Sequence, residues 1–171
     1  MSQDNRTFLS LGSNLNDRFF NLKNGIEMLN DHPHIWVLKT SYFYKSEPMY
    51  NKNQRSFFNA VVEIDTNLVP QDLLYEVKNI EKLNGRTKVK GENMPRTLDI
   101  DIIAIGDLCI NNKSLNIPHD KIAERKFVLK PWTDIAETFK VITYNLTVGQ
   151  LLKITSDLSE LTLILDKEGQ L

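Results

Sequence analysis

The sequence predicts an α+β domain of the ferredoxin-like, split βαβ type, with a mostly antiparallel sheet. Three observations point there. Runs with strand character and two stripes with helical period follow one another as β-α-β-β-α-β between residues 7 and 105. Turn and stop residues separate them, at Gly12, His32-Pro33 and Gly85. The length, 171 residues, fits one domain spanning 1–171, able to bury roughly 70% of its unfolded surface.

Thr7–Leu11 reads as a strand ending at Gly12. Asn16 or Asp17 can cap a helix through about Leu29, with Phe19, Leu22, Ile26 and Leu29 on one stripe. His32 and His34, either side of Pro33, are expected to face solvent. Ile35–Lys45 is rich in β-branched and aromatic residues and reads as one long strand, followed by a polar, irregular 46–56. Phe57–Asp65 alternates into another strand. Pro70 then opens a helix carrying Leu73, Leu74, Val77 and Ile80, with Gly85 just past its end. Leu98, Ile100, Ile102 and Ala104 share one strand face suited to a core, and Leu108–Ile110 reads as a hairpin partner across Gly106-Asp107. The remainder mixes short helices and strands, with a helix near Val148–Ile154 and a last strand near Leu161–Leu165. Both long helices fall on one sheet face, and C-terminal additions can cover the other.

Hydrophobic content of 41% and charged content of 25% are ordinary for a globular protein. A net charge of −1 argues against a general nucleic-acid binder. The lone Cys109 excludes an intrachain disulfide and permits a reducing cytoplasm; flanked by Leu108 and Ile110, it reads as a buried thiol. No apolar run approaches membrane-spanning length, and Met1 to Arg6 are polar rather than signal-like, so no membrane partner is expected and the cytoplasm is the expected location.

The chemistry concentrates around Asp99-Ile100-Asp101. Alternate strand residues point to one face at roughly 6.5–7 Å spacing, so the two carboxylates look out together. Burying both unpaired is prohibitive, so a cation must meet them. Alone, the tripeptide suits a solvated strand face or an ion pair with Arg96 equally well. Its context is more specific: between Gly85 and Arg96 lie Arg86, Lys88 and Lys90, with Glu92 the one acid. A cationic loop leading into paired carboxylates suits a metal-bound polyphosphate, basic groups gripping phosphate while the acids hold magnesium. Neither a P-loop nor a G-x-G-x-x-G turn occurs. Gly12-Ser13-Asn14 is a weak turn signal; Phe57 and Phe127 alone read as core, whereas Asn59 in an apolar strand needs hydrogen-bond partners.

Pro95-Arg96-Thr97-Leu98-Asp99-Ile100-Asp101 resembles the signature of the 6-hydroxymethyl-7,8-dihydropterin pyrophosphokinases of folate biosynthesis. Leu9–Leu15, Phe57–Val62, Ile80-Glu81 with Gly85-Arg86, Ile117-Pro118-His119 and Arg125–Pro131 are similar to further family segments, in order from about residue 7 to 137. The resemblance implies α/β/α layering and transfer of the pyrophosphoryl group of ATP to the pterin hydroxymethyl oxygen, releasing AMP. It implies two magnesium ions on Asp99 and Asp101, with Arg86 and Arg96 completing the catalytic set. Glu81, Arg86, Lys88, Arg96, His119 and Arg125 would meet the nucleotide. Asn14, Ser46, Pro48, Met49, Phe57, Asn59 and Phe127 would surround the pterin. A monomer is expected, and since the chain ends soon after the domain, no fused aldolase or synthase.

The chain departs from the family pattern at five places. Glu92-Asn93-Met94 replaces the usual Arg-Trp-Gly, Lys88 a frequent arginine, Phe57 a common tyrosine and Asp120 an aromatic, and Ser114 sits near a common arginine position. Loop closure is therefore expected to be weaker, and Asn93→Trp should tighten nucleotide binding. The altered loop also suits a catalytically weak nucleotide- or pterin-binding regulator, but Arg96, Asp99, Asp101 and His119 argue for the enzyme. A ferredoxin-like nucleic-acid module is disfavoured by the near-neutral charge.

Overall fold

The fold, from a computed structural model, is described for residues 6–85 and 94–165. Arg86, Lys88, Lys90, Glu92 and Asn93 lie outside the described residues.

The predicted β-α-β-β-α-β order is present with one strand divided. β1 (Thr7–Ser13) leads to α1 (Arg18–Asn30), and Asp17 caps that helix by accepting from the Phe20 amide at 3.0 Å. β2 (Ile35–Thr40) and β3 (Phe43–Ser46) follow, then β4 (Phe57–Thr66), α2 (Pro70–Leu83) and β5 (Asp99–Ile105). Gly85 sits past α2 with φ +82°, the left-handed stop that glycine adopts at no steric cost. β1 lies between β4 and β5 and pairs antiparallel with both, while β2 and β3 both pair antiparallel with β4.

Two apolar layers flank the sheet. Leu98, Ile100 and Ile102 of the expected core face of the fifth strand join Leu22 and Leu29 of α1 and Leu73 and Val77 of α2 on one side. Ala104, expected with them, packs on the other side, because the pairing with β1 shifts by one residue between Leu9↔Ile102 and Phe8↔Ala104. On the other side Phe8, Val61 and Ile103 pack under α3 (Lys126–Ala136) and α4 (Val148–Ile154), around Trp132. The result is the expected α/β/α layering. Short pairs β6 (Ile110–Asn111) with β7 (Asn116–Ile117) and β8 (Lys140–Val141) with β9 (Leu146–Thr147) decorate it, and β10 (Leu161–Ile164) extends the sheet beside β3.

Several expectations need correction. The single strand over 35–45 is two, because the buried Ser41 replaces a ladder rung with its side chain. Its Oγ accepts from the Val61 amide at 2.9 Å while its own amide donates to Val61 O at 2.9 Å. The pairing shifts by one residue there, from Thr40↔Val62 to Tyr44↔Asn59, as at a bulge. β1 runs two residues beyond Leu11, since Gly12 pairs on both sides. Residues 108–110 do not return along β5: the Gly106 amide bonds Arg6 O at 2.9 Å, and Ile110 pairs with Ile117 instead. Cys109 is exposed rather than buried. His34 is exposed, but His32 is half-buried with its Nε2 3.6 Å from Glu76. No expectation covered Pro131, which α3 holds inside it.

Candidate active site

The register of the three central strands builds the site. Gly12 is the cross-strand neighbour of both Asn59 and Asp99, and Ser10 of Asp101. Neighbouring strands lie about 4.8 Å apart, so Asn59 and Asp99 stand about 10 Å apart across the glycine. With no side chain at Gly12, the space above it is open. An added Cβ would lie 3.6 Å from Asn59 Oδ1 and 3.9 Å from Phe57 Cδ1.

A cavity of about 290 Å³ covers this row, on the α3 side of the sheet. One end carries Ser46, Pro48, Met49, Phe57 and Asn59, with Phe127 from α3. The other carries Arg96, Asp99, Asp101, His119 and Arg125. Asn59 is buried, and its Nδ2 donates to Ser46 Oγ at 2.9 Å and Tyr44 O at 3.3 Å. Those bonds fix the amide plane and leave Oδ1 as its free-facing acceptor toward Gly12.

At the polar end Arg96 Nη1 donates to Asp99 Oδ2 at 2.7 Å. Asp101 lies 3.8 Å from Lys78 Nζ and 3.9 Å from Arg125 Nη1, long ion pairs that leave its oxygens open to the cavity. The His119 amide donates to Ile103 O at 3.0 Å, which carries His119 to the edge of β5. Burial, reinforced by the Arg125 guanidinium, holds the imidazole below its usual pKa and therefore neutral. Its Nδ1 has the Lys121 amide at 3.2 Å and Asp120 Oδ1 at 3.3 Å. Its Nε2 stands 3.4 Å from Arg125 Nη1, so imidazole and guanidinium share one side of the cavity. Arg125 Nε is buried and, among the described residues, has no acceptor. An anion is the natural guest for such a cluster.

Two expected site residues stand behind the wall rather than on it. Asn14 is buried and ties the ends of β1 and the 94–96 segment together. Glu81 is 2% exposed, and burial pushes its carboxyl up in pKa despite the Lys78 ammonium. Arg86 and Lys88 are outside the described residues. Lys78 was not anticipated: it lines the cavity from α2. Its spacing of three from Glu81 was the available signal, because (i, i+3) residues meet on a helix.

The donor set suits magnesium. Two half-exposed carboxylates on one strand face provide hard oxygen ligands, and this ion commonly completes its shell with phosphate oxygens and water. Among the described residues no third His, Cys, Asp or Glu joins them to form a self-sufficient metal cage. Among the described residues, Lys78, Arg96 and Arg125 balance Glu81, Asp99 and Asp101 in formal charge. A polyphosphate therefore needs further positive charge, which metal ions and the basic residues of 86–90 would bring.

Comparison with known proteins agrees with this layout. Residues 8–137 match the model of the family described as 7,8-dihydro-6-hydroxymethylpterin-pyrophosphokinase (HPPK). The chain is 36% identical over 152 residues to the 2-amino-4-hydroxy-6-hydroxymethyldihydropteridine pyrophosphokinase of Haemophilus influenzae, covering 88% of this chain and 92% of that one. It is 47% identical over 129 residues to the folic acid synthesis protein fol1 of Pneumocystis carinii, covering 75% of this chain. It spans only 17% of that relative's length. A Plasmodium falciparum HPPK-DHPS crystal structure superposes with a TM-score of 0.68 over 87% of this chain and 43% of that one, at 19% identity, which is a likeness of fold. On the family match and the relatives' identity together, the chain belongs to the 7,8-dihydro-6-hydroxymethylpterin-pyrophosphokinase family.

Proposed function

We propose that this chain transfers the pyrophosphoryl group of ATP to the hydroxymethyl oxygen of 6-hydroxymethyl-7,8-dihydropterin, giving the pterin diphosphate and AMP. The observation that carries the reading is the Asn59–Gly12–Asp99 row, which sets an amide-and-aromatic slot beside paired carboxylates in one cavity. A flat heterocycle between Phe57 and Phe127, its edge on Asn59, would present a short side arm toward Asp99 and Asp101.

The protein's work is placement and charge. Magnesium at Asp99 and Asp101, when bound, would neutralise the triphosphate and draw charge from the bridging oxygen that leaves with AMP. The Arg125 guanidinium, with His119 beside it, donates to phosphate oxygens from one side. Arg96, held by Met94 O at 3.1 Å and by Asp99, donates from the other. The acceptor hydroxyl attacks the β-phosphorus and gives up its proton to solvent, the bond to the α-bridging oxygen breaks, and AMP departs with that oxygen. Water competing for the same phosphorus is excluded by Met49, Tyr50, Asn51 and Gln54 at the cavity rim. We place that action in the cytoplasm and in a monomer.

Phosphorus NMR of the protein with ATP, magnesium and the hydroxymethyl-dihydropterin tests the reading. AMP and a pterin diphosphate, both lost in Asp99→Ala, support it. ADP means γ-phosphoryl transfer, and tight binding of both ligands without turnover means a regulator; either result overturns it.

A further inference from the structure

β5 is the edge of the sheet beyond β1, so one side of its backbone has no neighbouring strand among the described residues. At Ile100, between the two carboxylates, that side is met by α2. Glu81 Oε1 accepts from the Ile100 amide at 2.7 Å, and Lys78 Nζ donates to the Ile100 carbonyl at 2.9 Å. The two side chains close the arrangement on each other, Nζ to Oε1 at 2.6 Å. One peptide residue is thus gripped by both of its polar groups, as a paired strand would grip it.

Ordinary packing does not call for this device. Leu73, Val77 and Ile80 already seat α2 on the core, and an ion pair with a buried partner is poor value as stabilisation because the Glu81 carboxylate loses its water. What the pair controls is the torsion of the backbone on either side of Ile100, hence the directions of the Asp99 and Asp101 side chains. Lys78 Nζ also stands 3.8 Å from Asp101 Oδ1, at the cavity floor.

We propose that Lys78 and Glu81 form a positioning clamp on the Ile100 backbone, holding Asp99 and Asp101 in the geometry that a divalent cation requires. Neither residue need touch the reacting atoms. The inference rests on the pyrophosphokinase reading for the presence of the cation.

Charge alone makes the opposite forecast for one variant, which gives the test its edge. Removing a cation beside Asp101 should tighten metal binding electrostatically; loosening the clamp should weaken it. Mn²⁺ serves as the probe, its free concentration followed by electron paramagnetic resonance with a non-hydrolysable ATP analogue present. In Lys78→Met the Mn²⁺ Kd should rise about tenfold or more, the range seen when groups supporting metal ligands are lost. kcat should fall with it, while pterin affinity stays at the wild-type value. Lys78→Arg, which can still donate to the Ile100 carbonyl, should recover most of the loss. Unchanged or tighter Mn²⁺ binding in Lys78→Met overturns the clamp. So does a parallel fall in Mn²⁺ affinity, pterin affinity and Tm, which would make the pair ordinary support for α2. A wild-type protein that binds Mn²⁺ but forms no AMP sinks the pyrophosphokinase reading and leaves the clamp to be decided by the Mn²⁺ comparison.

Discussion

Asn14 and Arg96, 82 positions apart, hold each other by a reciprocal pair of hydrogen bonds. The Asn14 amide donates to Arg96 O at 3.1 Å, and the Arg96 amide donates to Asn14 Oδ1 at 2.8 Å. Asn14 Nδ2 also donates to Gln54 Oε1 at 2.8 Å. One buried side chain therefore registers the end of β1, the entry to β5 and the segment over the pterin end of the cavity.

Asn14→Ala leaves the Arg96 amide without its side-chain acceptor. The expected cost is about 1–3 kcal/mol in urea unfolding, the desolvation of an unmet polar group. Turnover should fall as well, because Arg96 and the rim segment lose a common anchor. A variant with wild-type stability would show that water replaces the amide freely.

Asp101→Asn keeps the size and most hydrogen bonding of the side chain but weakens a hard oxygen ligand. AMP formation should drop at least about a hundredfold, several kcal/mol of charge stabilisation being at stake. Chelation by EDTA should abolish activity in the wild type, and added magnesium should restore it.

Gly12→Ala should fold with little change in Tm, since its Cβ makes only ordinary contacts with Asn59 and Phe57. The methyl group nevertheless projects into the cavity floor. Pterin affinity should weaken about tenfold by fluorescence titration, the usual cost of one unwanted methyl in a fitted site. Equal affinity would move the pterin away from this row.

His119 titrates below its ordinary value of 6.5 because burial and Arg125 disfavour the imidazolium. Between the lowered folded value and 6.5 the unfolded chain binds a proton that the folded chain does not, so stability rises with pH there. It is fully present above 6.5 and lost as pH falls toward the folded value. Urea midpoints at about pH 8 and about pH 5.5 should therefore differ less in His119→Gln than in the wild type. An unchanged difference would show that His119 is not responsible.

The Asp99-Ile100-Asp101 strand, the two long helices and the split βαβ order were legible because each is written locally. The core face of β5 alternates at period two as far as Ile102, α2 is bracketed by Pro70 and Gly85, and Asp17 stands where a cap is needed. The list of residues near the cavity was legible mainly through the family motifs. Lys78 carries no motif, and its role appears only when α2 is laid against β5.

By itself, then, the sequence determined which segments become strands and helices and which side chains carry the charge, since propensity, period and turn chemistry act over a few residues. Tertiary structure decided that Ser41 divides a strand, that residue 110 turns away from β5, and that Pro131 is carried inside a helix. It also decided that Gly12 brings Asn59 and Asp99 into one row, and that Lys78 and Glu81 grip Ile100. Those outcomes depend on cross-strand register and on which buried polar groups find partners. Both are settled between residues tens of positions apart, where no local pattern reaches.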